Sequence, residues 1–323
     1  MSMPEPGELT IALRPLPKRG LRLVALLNAG AGAADHKGTE HVRAVLAPAF
    51  KRLNVAAELR FCTGPELRSL ANMALARAKV GEIDAVVVGG GDGSVRTVAG
   101  VLANTGIPLG VLPLGSLNHF AKDLGVPMDL ASAAEAIAKG AERVVDLAEV
   151  NGEVFINNSS IGIYPYIVID RERRRANHKL AKWMAMVPAF LRMLRHFPRL
   201  RLAISAEGWT RPYRTPCLFI GNNEYGMELF TLGKRQHLDR GELWFYVVKP
   251  RNPLGFFWMV CRMCFGKAEQ ARDIETFRLT EAKVRSKTSR LPVALDGEVE
   301  IMHPPLQYRS RPGALRVIAP VLA

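Results

Sequence analysis

The chain has 323 residues, 48% hydrophobic and 23% charged, which excludes a disordered chain and leaves room for two separate cores. Its 44 Lys and Arg outnumber 30 Asp and Glu, a net charge of +14 that suits a polyanionic partner: nucleotide, nucleic acid or anionic membrane. Four cysteines (Cys62, Cys217, Cys261, Cys264) are too few and scattered for a disulfide scaffold and point to a reducing compartment.

The proline-rich first residues lack the basic start and apolar core of a signal peptide. From Leu21 strands and helices alternate. Leu21–Asn28, Val55–Phe61, Ile83–Gly89 and Ile107–Pro113 read as strands, and Glu40–Arg52, Glu66–Lys79 and Val95–Asn104 carry helical periodicity. Short apolar strands separated by helices predict a doubly wound, mostly parallel sheet covered on both faces. Ligands of such sheets gather at the carboxyl ends of the strands. Asn28, Thr63, the glycines after Val88 and the turn from Pro113 to Asn118 all follow predicted strands, so they share one rim.

The texture changes near Val144. VVDLAEVNGEVFINNSSIGI reads as two strands around an Asn151–Gly152 turn. RLRLAISAEG, TPCLFIGNN, GELWFYVVK, ETFRLTEAKVRSK and LPVALDGE follow as further strand candidates. This predicts an antiparallel β-sandwich, interrupted by a helical excursion over Ile167–Arg195. The expected division is an α/β domain over 20–144, a sandwich domain over 145–304 and a return of 305–321 to the first. Cys261 and Cys264, in FFWMVCRMCFG, lack the second ligand pair of a zinc site and read as small core hydrophobes. No uncharged run reaches the roughly 18 residues that span a bilayer.

Three constellations carry possible chemistry. The first is VVVGGGDGSVRTVAGVL (86–102): glycine allows the backbone to approach a phosphate closely, and the following helix aims its N-terminal amides at the same anion. Asp92 beside phosphates calls for a cation or a proton from a nucleophile. The GK[ST] ending of a Walker loop is missing, as are the H-R-D and D-F-G sequences of protein kinases. NAGAGAAD (28–35) is a near-miss to a dinucleotide fingerprint, with Asp35 at the place of the third glycine. The second constellation is PLGSLNHFAKDLGVP (113–127), where Ser116 is placed to cap a helix starting near Leu117; by itself it also reads as a plain cap with Asn118 facing solvent. The third is ALDGEVE (294–300). Asp296 and Glu298 share a face if the segment is extended, although Asp-Gly is also a common turn dipeptide.

In this order, GGDGS, PLGSLNHFAKDLGVP and LDGE, with FINNSSIGIYP and the closing PGALRVIAP, the chain resembles the catalytic family of diacylglycerol kinases and sphingosine kinases, and bacterial lipid-kinase-like members above all. The resemblance runs from about Leu21 to Pro320. It implies an ATP-dependent lipid kinase using Mg2+ and phosphorylating diacylglycerol or a related sphingoid or monoacyl lipid, with the active site in the interdomain cleft. It implies nucleotide binding by Asn28, Thr63, Gly90, Gly91, Asp92, Gly93, Ser94, Arg96, Gly115, Ser116 and Asn118. The catalytic candidates are Asp92, Asp296 and Glu298, one of the latter two acting as general base.

Three positions depart from the family pattern. The first turn, Asn28-Ala29-Gly30-Ala31-Gly32, lacks the usual hydroxyl. Arg96-Thr97 stand where relatives carry Asn and Glu; Arg96 is either a phosphate contact or a solvated helix residue. A structural Mg2+ loop of some relatives has Asp directly before a glycine, whereas here Arg240 precedes Gly241. The metal candidates are therefore Asp239, one place early, with the backbone carbonyls of His237 and Glu242. These departures leave open a catalytically weakened lipid- or nucleotide-binding protein, and an NAD-kinase-like enzyme is the other alternative. The cationic, Trp183-bearing segment Asp170–Arg201 predicts either an interfacial helix on anionic lipid or an ordinary amphipathic helix. The chain is expected to be cytoplasmic and peripherally membrane-associated, with no nucleic-acid partner.

Overall fold

The computed structural model describes residues 14–15, 20–30, 36–165, 168, 197, 200–225, 235, 237–249, 252–264 and 273–321. Most of the cationic segment 170–201 lies outside the described residues, as do the side chains of Cys261 and Cys264. The chain forms two compact units, Met1–Val145 with Gly313–Ala323, and Asp146–Pro312.

In the first unit the continuously apolar runs form a parallel sheet. Strands β2 (Arg22–Asn28), β3 (Ala56–Cys62), β4 (Ala85–Gly90) and β5 (Leu109–Pro113) lie in the order β3-β2-β4-β5. The last part of β17 (Leu306–Ala319) pairs parallel with β5, at Val317 and Leu109. Strand β1 (Arg14–Pro15) pairs with the start of β6 (Ala141–Val150). The chain leaves β2 in one direction, through helix α1 (His36–Arg52), to reach β3. It then returns across β2 through α2 (Gly64–Lys79) to β4, and continues through α3 (Asp92–Leu102) to β5. Right-handed crossovers put α1 and its neighbour α5 (Leu130–Lys139) on one face and α2 with α3 on the other. Both faces are thereby covered, and β2 and β4 keep every interior residue buried. The direction reverses between β2 and β4, so the turns after them open at the switch point of the sheet. Helix α3 starts at Asp92, three residues before the expected Val95, which moves Asp92, Gly93 and Ser94 from a loop into a first helical turn.

The second unit is an antiparallel sandwich. One sheet has the order β13 (Ile274–Leu279), β12 (Leu243–Val248), β11 (Cys217–Asn222), β8 (Asn158–Gly162), β15 (Leu291–Leu295) and β16 (Glu298–Met302). The facing sheet contains β10 (Trp209–Thr215), β9 (Leu200–Ala206), β14 (Glu281–Ser286) and the first part of β17, with β7 (Glu153–Phe155) paired to the end of β6. Phe155, Ile161, Leu202, Ile204, Phe245 and Tyr308 are among the side chains that fill the space between the sheets. Phe245 stacks on Phe277 (centroids 5.4 Å apart) and meets Tyr308 edge-on at 6.1 Å. Tyr308 is fully buried, and its hydroxyl is hydrogen-bonded to that of Ser159 at 3.0 Å.

ETFRLTEAKVRSK, expected as one strand, is two strands in different sheets. The alternation that buries Ile274 and Leu279 is broken at Thr280–Glu281, and Ala282 and Val284 then face the core from the opposite layer. β10 was not among the expected strands; its Pro212 lies at the sheet edge, where the missing N–H costs no ladder bond. The short helix α4 (His119–Asp123) precedes α5, and the FFWMV stretch lies in helix α6 (Pro253–Cys264). Cys217 is buried and free, and burial pushes its thiol up to about 12.

Trp209, Trp244 and Trp258, the tryptophans among the described residues, lie in the second unit, so their fluorescence reports its unfolding. Phe245→Ala is expected to lower its stability by about 3–5 kcal/mol. The urea midpoint should fall with little change in m-value.

Candidate functional site

Asn28 ends β2, and its carboxamide joins two turns. Nδ2 donates to Ser94 Oγ at 2.8 Å, and Oδ1 accepts from Gly30 N at 3.0 Å. Ala29 N donates to Cys62 O at 2.9 Å, which brings the end of β3 alongside. Thr63 follows, exposed, with its N–H and hydroxyl both donating to Glu66 Oε2 at 2.8 Å. Those bonds hold the Glu66 carboxyl below the usual carboxylate range.

The turns after β4 and β5 touch backbone to backbone. A Cβ on Gly115 would lie 2.4 Å from Gly91 Cα and 2.9 Å from Gly91 N, and backbone cannot yield as a flexible side chain does. A Cβ on Gly90 would lie 2.5 Å from Ser94 Cβ. Gly115 N donates to Gly90 O at 3.2 Å and to Asn118 Oδ1 at 2.9 Å, and Asn118 Nδ2 returns a bond to Gly115 O at 2.7 Å. Asn118 is buried and left-handed (φ 51°, ψ 47°), a conformation that asparagine tolerates better than most residues. The solvent-facing alternative for Asn118 is thus corrected. The helix also starts later than expected, at His119, so exposed Ser116 is not its cap.

That role falls to Asp92. Its Oδ2 accepts from His119 N at 3.1 Å and Oδ1 from Phe120 N at 3.0 Å, which satisfies first-turn amides of α4 from another loop. Sequence reading singled out Asp92 for metal or proton chemistry and missed this. A carboxylate 27 residues from the amides it serves leaves no local capping signature. Arg96 is 8% exposed, which removes the solvated alternative. The N-cap of α3, Gly91, offers no side-chain acceptor to the helix start, and Gly91, Asp92 and Gly93 remain partly exposed.

In the second unit, β15 and β16 are joined by a two-residue turn, with Leu295 and Glu298 paired across it. Asp296 (φ 49°) and Gly297 (φ 89°) are both left-handed, the signature of a type I′ hairpin. The turn reading of Asp-Gly therefore holds, and the shared strand face of Asp296 and Glu298 does not. Asp296 Oδ2 accepts from Ile156 N at 2.8 Å, and Oδ1 accepts from Asn157 N at 2.7 Å and Asn158 N at 3.1 Å. Its N–H donates to Asn158 O at 3.0 Å. Three backbone amides thus converge on one carboxylate and tie the hairpin turn to the FINN segment. Glu298 stands exposed at the start of β16. The same FINN segment is held from behind by Arg235, a residue that sequence reading did not single out: it is buried and donates to Ile156 O, Asn222 O and Asn157 Oδ1, each at 2.8 Å.

The side chains of His237 and Glu242 have partners of their own. Among the described residues no three His, Cys, Asp or Glu side chains gather as a cation site. Glu242 instead accepts from Trp244 Nε1 (3.2 Å) and Arg278 (3.1 Å), and His237 Nε2 lies 3.0 Å from the Arg240 guanidinium. The buried acid nearby is Asp146, which accepts from Asn223 Nδ2 at 3.0 Å and Gly241 N at 2.5 Å.

An α/β unit with interlocked glycine turns at its switch point, followed by an antiparallel sandwich, matches two family models in succession. Residues 22–150 match the diacylglycerol kinase catalytic domain, and residues 169–319 match the YegS C-terminal NAD kinase beta sandwich-like domain. A probable lipid kinase YegS-like protein of Pseudomonas fluorescens is 30% identical over 242 residues, 73% of this chain and 77% of the relative. The chain belongs to the diacylglycerol kinase catalytic-domain family. A diacylglycerol kinase of Bacillus subtilis is 32% identical over 134 residues, 41% of this chain and 43% of that protein. An uncharacterized Synechocystis protein is 27% identical over 73% of this chain and 55% of its own length, so the chain spans about half of these two relatives. The fold is shared with a crystal structure of a putative diacylglycerol kinase from Bacillus anthracis (TM-score 0.71, 23% identity, 92% of this chain and 96% of that one).

Gly115→Ala is expected to lower thermal stability by about 1–3 kcal/mol, because the added methyl meets backbone. Gly30→Ala meets nothing closer than Asn28 Oδ1 at 3.4 Å and should stay within about 0.5 kcal/mol. Circular dichroism melts of the two variants distinguish them. In the second unit Asp296→Asn should cost about 1–3 kcal/mol by weakening its hold on three amides, while Glu298→Gln should be near neutral; tryptophan-detected urea unfolding measures both.

Proposed function

We propose that the protein is an ATP-dependent lipid kinase that phosphorylates a hydroxyl of diacylglycerol or a related lipid. The observation that carries this reading is the interlocked pair of glycine turns at the switch point, with the partly exposed start of α3 left without a side-chain cap. First-turn amides with no side-chain acceptor suit the phosphates of a nucleotide. Gly91, Gly93 and Ser94 would hold those phosphates, with Thr63 and Ser116 on neighbouring turns. Asp92 and Asn118 would act as positioning residues, fixing α4 and the second turn against the first.

Bound Mg2+–ATP supplies the transferable phosphoryl group and neutralises its developing charge. The chain offers no preformed cage of three acidic or histidine ligands among its described residues, which fits a cation held largely by nucleotide phosphates and water. The lipid hydroxyl must lose its proton as its oxygen bonds the γ-phosphorus and the bond to the departing ADP breaks. Glu298 is the carboxylate suited to accept it, since it stands exposed at the start of β16, directly after the hairpin turn. Asp296, engaged by three amides, would set the hairpin that carries Glu298.

Purified protein incubated with γ-labelled ATP, Mg2+ and separate diacylglycerol, monoacylglycerol, sphingoid and NAD acceptors tests the proposal. Labelled phospholipid is the expected product. Glu298→Gln should lower kcat by about two to four orders of magnitude at unchanged stability. Labelled NADP alone would replace the reading with an NAD-kinase activity, and ATP binding without any product would replace it with a nucleotide-binding protein.

A further inference from the structure

The facing sheet of the second unit has one side in the core and one side outward. Leu202, Ile204, Ala282, Val284 and Tyr308 take the inner side, so strand alternation places Arg201, Arg214, Lys283 and Arg285 together on the outer one. The hydrogen bond between Thr210 Oγ1 and Ser205 Oγ (2.9 Å) fixes this register on the same outer side. Arg201 and Arg214 are direct cross-strand partners, a pairing that repels. Arg285 lies opposite Ala203 and Lys283 opposite Ser205. Between the cations the surface is low, made of small side chains.

The acids on this side are already taken. Glu281 pairs with Arg309 at 3.3 Å, and Glu149 pairs with Arg309 at 3.8 Å and Arg311 at 3.4 Å. None of the other four cations forms an ion pair with a described residue. Like charges set opposite each other without local compensation cost stability unless a polyanion lies across them.

We infer that this outer face, Arg201, Arg214, Lys283 and Arg285, docks the protein onto an anionic lipid bilayer. The choice of occupant rests on the lipid-kinase reading; the charge and flatness of the face are independent of it. A bilayer is a broad, planar array of phosphates, which a flat cationic sheet face complements over its whole area. Single-stranded nucleic acid suits it less, because binding there relies on aromatic platforms. Trp209 and Tyr213, the aromatics of β10, point inward instead and pack on Phe277.

The test is flotation of the full chain with vesicles of phosphatidylcholine alone, or with about one-third phosphatidylglycerol to set a surface potential on the order of −30 mV, without ATP or acceptor lipid. The wild type should float with the anionic vesicles only, and less as salt rises. Arg214→Glu/Lys283→Glu/Arg285→Glu should lower the partition coefficient by roughly 10- to 100-fold, and the three Gln replacements by about half as much on a logarithmic scale. Lys51→Glu/Arg68→Glu/Lys79→Glu, with the same change in net charge on exposed positions of the first unit, should leave most of the binding intact. Equal loss in both charge-reversal triples, or none in the first, would overturn the proposal. So would tighter binding of a fluorescent oligonucleotide than of vesicles through the same residues. Because no phosphoryl transfer is measured, a failed vesicle experiment leaves the kinase reading standing, and a failed kinase assay leaves docking measurable.

Discussion

The contact between Gly91 and Gly115 governs the candidate site. Two strand-to-helix turns meet there with no side chain between them, so the start of α3 and the approach to α4 are held as one body. Everything else at that rim adjusts to it. Asn118 adopts a left-handed conformation so that its carboxamide can bond both the N–H and the carbonyl of Gly115, and Asp92 reaches from one turn to the amides of the other. Asn28 joins the assembly from β2 through Ser94. The order β3-β2-β4-β5 makes this meeting possible, because it sets the ends of β2 and β4 side by side where helices leave in opposite directions.

A parallel logic operates in the second unit with different parts. There the fixed element is the FINN segment, whose three successive amides converge on Asp296 while Arg235 takes the Ile156 carbonyl and the Asn157 side chain. A charge at each end of the backbone dipoles aligns an irregular stretch without a helix or a ladder. In both units a residue that sequence motifs present as chemical is engaged in holding backbone, and its neighbour is left exposed. Ser94 and Asp92 stand beside the partly open Gly93, and Asp296 stands two places before Glu298.

Much of the architecture was legible in the sequence. Uninterrupted apolar runs such as VALLN and AVVVG require burial on two sides, and the alternation beyond Val144 requires it on one; these patterns predict the two kinds of sheet. Glycine turns after the strands marked the rim. Other features were hidden for definite reasons. Asp92 serves amides of α4, and Asp296 serves amides some 140 residues earlier, so both engagements exist only after folding. Buried Arg235 has a charged side chain whose partners are mostly carbonyls, which leave no trace in side-chain pattern. The split of ETFRLTEAKVRSK between two sheets turns on one broken alternation at Thr280–Glu281, too small a signal within thirteen residues of strand-like sequence.

Two strands carry the chain between its units. β6 runs from the first into the second at Val145–Asp146, and β17 returns at Pro312–Gly313. The second unit is thus a single continuous insertion, while the first is made of two segments far apart in the sequence. This sets a schedule for synthesis on the ribosome. Most of the first unit's sheet emerges early, yet its β17 strand arrives only after the whole insertion, a delay on the order of ten to thirty seconds at usual translation rates. During that interval the outer edge of β5 exposes an unpaired row of backbone groups and apolar side chains. The nascent first unit is consequently the part of this chain most dependent on chaperone cover, and the sandwich, drawn from one uninterrupted stretch, the least.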